Sequence, residues 1–276
     1  LHVTNLHFKT TLAPGGIAGL TVDVTLFPLD TLKTRLQSPC GFKASGGFKN
    51  LYKGVGIAAI GSIPTASLFF CVYNTLKSTM EENMEIKYRP FIHMSCASLA
   101  EVGSCMLKVP IEIVKQRQQA SKIKLSPIHI CRKAIELEGY LGLYRGFTTT
   151  VLREIPFALI QFTTWEWMKQ EWRSYSKKDI GVAEVAVFGA LSGGIAAGTT
   201  TPLDVAKTRI MLAEKLNGST NGSEKLRTSM MIASIFREKG VRGLFIGFIP
   251  RTLWMTLGGA IFFGAYQTSV EVLMND

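Results

Sequence analysis

The sequence predicts an all-α membrane protein with six transmembrane helices in three tandem pseudo-symmetric repeats. Three observations predict it. First, one eight-residue pattern occurs three times: Pro28-Leu29-Asp30-Thr31-Leu32-Lys33-Thr34-Arg35, Pro110-Ile111-Glu112-Ile113-Val114-Lys115-Gln116-Arg117 and Pro202-Leu203-Asp204-Val205-Ala206-Lys207-Thr208-Arg209. The copies start 82 and 92 residues apart, and self-similarity at a near-fixed period reports architecture. Second, the apolar residues gather in six long stretches, two per repeat. Third, positive charge is sided. The stretches after the three motifs, 38–55, 118–147 and 212–248, hold 14 Lys or Arg, whereas the stretches between repeats, 78–90 and 170–182, hold 5. Basic loops mark the topologically inner face of a membrane protein.

Repeat 1 spans 1–86, repeat 2 spans 87–178 and repeat 3 spans 179–276, together one transmembrane domain. In repeat 1 the apolar stretches are 12–29, ending on the motif proline, and 55–76. In repeat 2 they are 91–111, again running into the proline, and 147–168. In repeat 3 they are 181–206 and 244–270. Several reach the roughly 20 residues needed to cross a hydrocarbon core. Each motif proline removes a backbone donor and bends its helix. Gly15-x-x-x-Gly19 and Gly189-x-x-x-Gly193 read as close-packing pairs; repeat 2 has Ala97-x-x-x-Glu101 instead. The mean hydropathy of +0.20 is low for a membrane protein and fits helices that face lipid on one side and a wet interior on the other.

Composition excludes several classes. The net charge of +11 lies at helix ends, not on a separate basic domain, so nucleic-acid binding is not expected. The five cysteines show no C-x-x-C spacing, which predicts free thiols with no disulfide framework and no zinc site. There is no G-x-S-x-G and no H-E-x-x-H, and the histidines at 2, 7, 93 and 129 lack metal-ligand spacing. No enzyme, cofactor or metal is therefore expected. The start shows no basic segment, apolar core and small-residue site of a cleavable secretory signal.

A second pattern follows each motif. It reads Gly46-Gly47 through Tyr52-Lys53-Gly54, then Glu138-Gly139-Tyr140-Leu141-Gly142-Leu143-Tyr144-Arg145-Gly146, then Lys239-Gly240 through Phe245-Ile246-Gly247. Anchoring on Gly54, Gly146 and Gly247 aligns the second helix of each repeat without gaps. Nineteen residues on lie Tyr73, Trp165 and Tyr266, followed by Asn74, Glu166 and Gln267.

This threefold, two-motif arrangement resembles the mitochondrial carrier family over nearly the whole chain. The resemblance implies a six-helix bundle with short matrix helices, multi-pass in the mitochondrial inner membrane, with both termini toward the intermembrane space. It also implies a monomer, odd helices kinked at the motif proline, and cardiolipin at the Gly54, Gly146 and Gly247 helix starts, where backbone N–H groups can bind phosphate. By the same resemblance the pairs Asp30–Lys115, Glu112–Lys207 and Asp204–Lys33 form a matrix gate, with Gln37 and Gln119 as braces and Met211 in the third brace position. Half-buried pairs that nearly break even against desolvation suit a gate that must open. The competing reading is helix-capping charge at a membrane surface.

At the opposite end the family places an aromatic-[DE]-x-x-[KR] ring, and this chain departs from it. Tyr73-Asn74-Thr75-Leu76-Lys77, Trp165-Glu166-Trp167-Met168-Lys169 and Tyr266-Gln267-Thr268-Ser269-Val270 give no complete ion pair under cyclic pairing. A weak cytoplasmic gate and a resting state open to the intermembrane space are expected.

The family's substrate contacts fall at Gly61-Ser62, Arg153-Glu154 and Trp254-Met255, with Thr65, Phe157 and Gly258 one turn on. Arg153 offers a fork for a carboxylate and Glu154 an acceptor for an ammonium. Trp254 offers a cation–π face, or else packs against helix or lipid. Gly61 and Ser62 leave room for a bulky group. Asp23 and Glu101 add carboxylates on odd helices, where ionisable groups are functional candidates; Glu101 could instead pair structurally with Arg153, Lys108 or Arg251. Lys108 and Arg251 lie nearer the inner mouth. The inventory suits a net-cationic or zwitterionic solute with an apolar part, and suits nucleotide phosphates and dicarboxylates poorly.

The runs Phe27–Pro39, Val151–Phe157 and Thr201–Arg209 are similar to those family members that carry S-adenosylmethionine. That resemblance implies import of S-adenosylmethionine in exchange for S-adenosylhomocysteine, with Phe69 or Trp254 against the adenine or the sulfonium. The alternatives are the same fold carrying a basic amino acid or another cofactor, and a non-transporting leak or receptor on this fold.

Overall fold

The computed structural model describes residues 13–81, 89–122, 125–176, 181–213, 228–259 and 261. Those residues are helical or form turns, with no strand among them. Helix α1 (Ala13–Gln37) runs through Pro28, and α2 (Val55–Glu81) carries Pro64. The chain between them, 38–54, forms turns, so repeat 1 has no short helix at its motif end. Helix α3 (Arg89–Ala120) runs through Pro110. A short helix α4 (Pro127–Glu138) starts on its own proline and stops at Gly139, whose φ of 73° only glycine adopts freely. A 3-10 turn, Tyr140–Tyr144, leads to α5 (Phe147–Ser176).

Repeat 3 differs. Its first helix is divided into α6 (Val182–Thr199) and α7 (Thr201–Leu212), separated at Thr200 with φ −88° and ψ 6°. The kink expected at Pro202 is thus a break two residues earlier, while the equivalent helices of repeats 1 and 2 are continuous. Pro202 cannot donate to the ladder, and the Thr200 and Thr201 hydroxyls donate to the Ala196 and Ala197 carbonyls over the break. Helix α8 (Thr228–Leu244) bends at Gly240, and the last helix among the described residues, α9, covers 248–259.

The three motif-bearing helices meet one another: α1 touches α3 and α7, and α3 touches α7. Helix α2 packs along α3, α5 along α6, and α7 against α8. Glycines bring α9 close to its neighbours. A Cβ on Gly194 would lie 2.6 Å from Thr256 Oγ1, and one on Gly198 would lie 2.8 Å from the Phe248 ring. Gly19 and Gly189 face open space, and a Cβ on Gly193 would make only an ordinary contact. The close-packing glycines of repeat 3 are therefore Gly194 and Gly198, not the expected Gly189 and Gly193. Spacing alone leaves open which of several four-apart pairs faces a neighbour. Gly258 faces Val22 and Leu26 of α1, closing the bundle rather than lining its interior.

Burial is inverted relative to a water-soluble bundle. Thr31, Arg35, Gln37, Gln119, Asp204, Lys207 and Thr208 are buried, whereas Ile60, Ile63, Phe70, Leu107, Leu159, Trp167, Leu191, Ile249 and Leu257 are exposed. A broad apolar exterior over a polar interior marks a surface made for lipid. By length and apolarity alone, Val55–Met80 in α2 is the one described segment able to cross a membrane. The other long helices carry their charges inward, as α1 does with Asp23, Asp30 and Lys33, and so fall short on composition.

Candidate functional site

At the motif end, α1, α3 and α7 each present a carboxylate two residues after the proline and a lysine three residues later. Lys115 Nζ lies 2.7 Å from Asp30 Oδ2, Lys207 Nζ 2.7 Å from Glu112 Oε2 and Lys33 Nζ 2.9 Å from Asp204 Oδ2. The three contacts link the helices in a cycle. Lys115 also sits over the Phe27 ring at 5.2 Å.

Two glutamines one turn further on hold two of the acids. Gln119 Nε2 donates to Asp30 Oδ2 at 3.1 Å, and Gln37 Nε2 donates to Asp204 Oδ2 at 3.0 Å, while Gln37 Oε1 accepts from Thr208. Met211, the third equivalent, is buried with Cys105, Val109 and Ile113. A hydrogen bond to a charged group contributes about 1.5–3 kcal/mol. Gln37→Ala is expected to loosen this end by that order, read as a lower melting temperature in detergent; an unchanged melting temperature would deny it a bracing role.

The ring is not symmetric. Asp204 also receives Arg251 Nη1 at 2.8 Å and lies 3.9 Å from Arg153 Nε, with only 3% of its side chain exposed. Arg251 Nη2 in turn donates to Thr200 Oγ1, so α9 is tied to the break between α6 and α7.

Behind the ring the single arginine of each motif is buried and makes contacts of its own. Arg117 pairs with Glu138 at 2.8 Å and Arg209 with Glu238 at 2.9 Å. In repeat 1 no such acid exists. Arg35 instead donates to the carbonyls of Gly47, Lys49, Asn50 and Gln119 and is 1% exposed. Gly46 must lack a side chain here, since its φ is 109° and a Cβ would lie 3.3 Å from the guanidinium carbon. These three arginines have no role in the sequence reading. Their recurrence seven residues after each proline was the available signal.

Above the ring lie two adjoining cavities of about 590 and 810 Å³, within the usual range of about 300–1,000 Å³ for small-molecule sites. The deeper one is lined by Gly61, Ser62, Thr65, Phe69, Arg153, Glu154, Phe157, Trp254 and Met255, together with Asp23 and Glu101. It thus brings together the expected substrate contacts of α2, α5 and α9. The outer cavity is walled by Phe69, Tyr73, Phe157, Phe162 and Trp165, with Glu101, Lys108 and Glu154 at its floor.

Counting ionisable residues around the deeper cavity gives six acids (Asp23, Asp30, Glu101, Glu112, Glu154, Asp204) and six bases (Lys33, Lys108, Lys115, Arg153, Lys207, Arg251). Arg153 Nη2 contacts Glu154 Oε1. Lys108 Nζ contacts Glu101 Oε1 and lies 3.1 Å from Glu154 Oε1. Asp23 has no ion pair among the described residues.

Gly61 also serves packing. A Cβ there would sit 2.5 Å from Ile111 Cγ2 and 3.0 Å from its Cδ1, so the space beside Gly61 is filled by α3 as well as by cavity. Gly61→Ala is expected to push the stiff, β-branched Ile111 into the cavity at a cost of about 1–3 kcal/mol. A fall in melting temperature together with a higher half-saturation concentration would show this; neither change would mean that the contact relaxes freely.

At the outer mouth, Tyr73 stacks parallel to Phe69. Glu166 pairs within its own helix with Lys169 at 2.7 Å, and Lys169 Nζ lies 3.5 Å from the Trp165 ring centroid. Asn74 is exposed. Tyr266 and Gln267 lie outside the described residues.

The sequence profile of the family described as mitochondrial carrier protein matches residues 4–84, 87–176 and 178–276. Over 98% of this chain and 95% of the relative, the sequence is 50% identical to a Drosophila melanogaster protein named S-adenosylmethionine mitochondrial carrier protein homolog. It is 46% identical to the mitochondrial S-adenosylmethionine carrier protein of Danio rerio, over 97% of this chain and 98% of the relative. It is 45% identical to the Mus musculus protein of that name, over 97% of this chain and 96% of the relative.

Proposed function

Because the chain belongs to the mitochondrial carrier family, we propose that it imports S-adenosylmethionine into the mitochondrial matrix in exchange for S-adenosylhomocysteine, by alternating access. It is a multi-pass inner-membrane transporter and not an enzyme. The proposed arrangement has six membrane spans with both termini in the intermembrane space, and a monomer as the transporting unit, with cardiolipin at the Gly54, Gly146 and Gly247 helix starts.

The observation that carries the cargo reading is the deep cavity, where a fork of opposite charges meets an aromatic wall. Arg153 takes the α-carboxylate. Glu154, Glu101 or Asp23 takes the ammonium and offsets the sulfonium. Phe69 or Trp254 takes the adenine. The full names of the relatives support the same cargo. A cavity balanced at six acids and six bases gives a nucleoside triphosphate no excess of cations to bind.

The Asp30–Lys115, Glu112–Lys207 and Asp204–Lys33 cycle, braced by Gln37 and Gln119, serves as the matrix gate. The residues around Tyr73, Asn74, Lys77, Trp165, Glu166, Lys169, Tyr266 and Gln267 form a weaker cytoplasmic gate. The intact ring below a cavity reaching toward the opposite end supports a resting state open to the intermembrane space.

A ligand that binds only the folded protein raises its apparent stability, by about 2.7 kcal/mol at a hundred times the dissociation constant. Thermal unfolding of the detergent-solubilised protein is expected to shift upward with S-adenosylmethionine and with S-adenosylhomocysteine, and not with ATP or malate. A shift with arginine or lysine and none with S-adenosylmethionine would favour the basic amino-acid reading, which Glu154 and Asp23 would also serve.

A further inference from the structure

The two acids best placed for a substrate cation already hold one. Glu101 and Lys108 stand seven residues apart on α3, two turns along one face, and Glu154 comes from α5. Lys108 Nζ contacts Glu101 and lies 3.1 Å from Glu154, whose other partner is Arg153. About a third of the Lys108 side chain is open to the cavity. This cluster is neutral: two carboxylates, one ammonium and one guanidinium.

We propose that Lys108 is a tethered counter-ion that sets the charge tolerance of the substrate site. The proposal rests on the cargo reading above. S-adenosylmethionine and S-adenosylhomocysteine share their ammonium, carboxylate and adenine; they differ by one methyl group, and with it by the single positive charge of the sulfonium. A carrier that exchanges them must hold both. Glu101 and Glu154 facing Arg153 alone would leave one uncompensated carboxylate. At about 6 Å and an effective dielectric near 20, such a charge favours the sulfonium form by roughly a hundredfold. Lys108 cancels that bias.

Its chemistry suits the task. A lysine ammonium is a point charge on a flexible four-carbon stem, so it can lean on Glu101 while the substrate ammonium approaches Glu154. A planar, bidentate arginine would hold both acids in fixed geometry. Within α3 the lysine also keeps Glu101 from standing as an unpaired charge at mid-depth, where ions are costly.

The test compares wild type, Lys108→Gln, Lys108→Arg and the double variant Glu101→Gln with Lys108→Gln, reconstituted in liposomes. The readout is the ratio of half-saturation concentrations for the two ligands. It is repeated as thermal shifts in detergent, which need no turnover. Lys108→Gln is expected to move the ratio toward S-adenosylmethionine by about a hundredfold. Lys108→Arg, which keeps the charge, is expected to hold the wild-type ratio, and the double variant, which restores neutrality, to return to it. An unmoved ratio in Lys108→Gln, or equal weakening of both ligands, would make Lys108 a structural link between α3 and α5 and overturn the proposal alone. A folded wild type that takes neither ligand would overturn the cargo reading, and this proposal with it.

Discussion

Arg153→Ala is expected to abolish transport while the protein still folds and inserts. Arg153 is the guanidinium at mid-depth in the cavity, 13% exposed, in contact with Glu154 and 3.9 Å from Asp204. The other guanidinium described around this cavity, Arg251, is buried against Asp204 and Thr200. Two charge-assisted hydrogen bonds at about 1.5–3 kcal/mol each amount to a loss of at least a hundredfold in transport. Arg153→Lys keeps the charge without the fork and is expected to recover only a small part. Uptake by liposomes, beside thermal unfolding to verify folding, reads both. Transport at wild-type level in Arg153→Ala would refute the carboxylate role.

The second large effect falls on the inner ring, and it is unequal around it. Asp204 faces two cations at 2.8–2.9 Å, Lys33 and Arg251, and accepts from Gln37. Asp204→Asn strands the buried Arg251 and the half-buried Lys33, and breaking a buried pair in this way costs about 3–5 kcal/mol. A large drop in melting temperature and loss of transport are expected. Asp30, by contrast, has one cation within ion-pair distance, Lys115. Reversing that pair, Asp30→Lys with Lys115→Asp, is expected to keep measurable transport. Reversing the other, Asp204→Lys with Lys33→Asp, leaves a lysine against Arg251 and is expected to keep none. Equal residual transport in the two reversals would show that Arg251 does not act on the ring.

What could be read from the sequence follows from symmetry. Contacts between equivalent positions of successive repeats recur three times, so aligning the chain with itself finds the acids Asp30, Glu112 and Asp204, the lysines Lys33, Lys115 and Lys207, and glutamines at two of three positions one turn on; the resemblance to the family supplied their pairing and the brace role. Contacts that break the symmetry leave no repeat to read. Arg251 on Asp204, Lys108 between Glu101 and Glu154, and Arg35 on the carbonyls of Gly47, Lys49 and Asn50 are contacts with no counterpart among the described residues of the other repeats. The division of α6 from α7 depends on threonine hydroxyls bonding the preceding turn, and Pro28 and Pro110 sit in the same motif without it. Which glycine faces a neighbour depends on helix rotation, and that is fixed by the whole bundle rather than by local spacing. The 3.6-residue period could not separate Gly194 and Gly198 from Gly189 and Gly193.

The most direct test of the central claim is uptake of labelled S-adenosylmethionine into liposomes carrying the purified protein, loaded or not with S-adenosylhomocysteine. Uptake strongly stimulated by the internal ligand, and lost in Arg153→Ala, is the predicted result. No uptake in either condition by a protein shown to be folded would contradict the assigned cargo and leave the carrier fold standing.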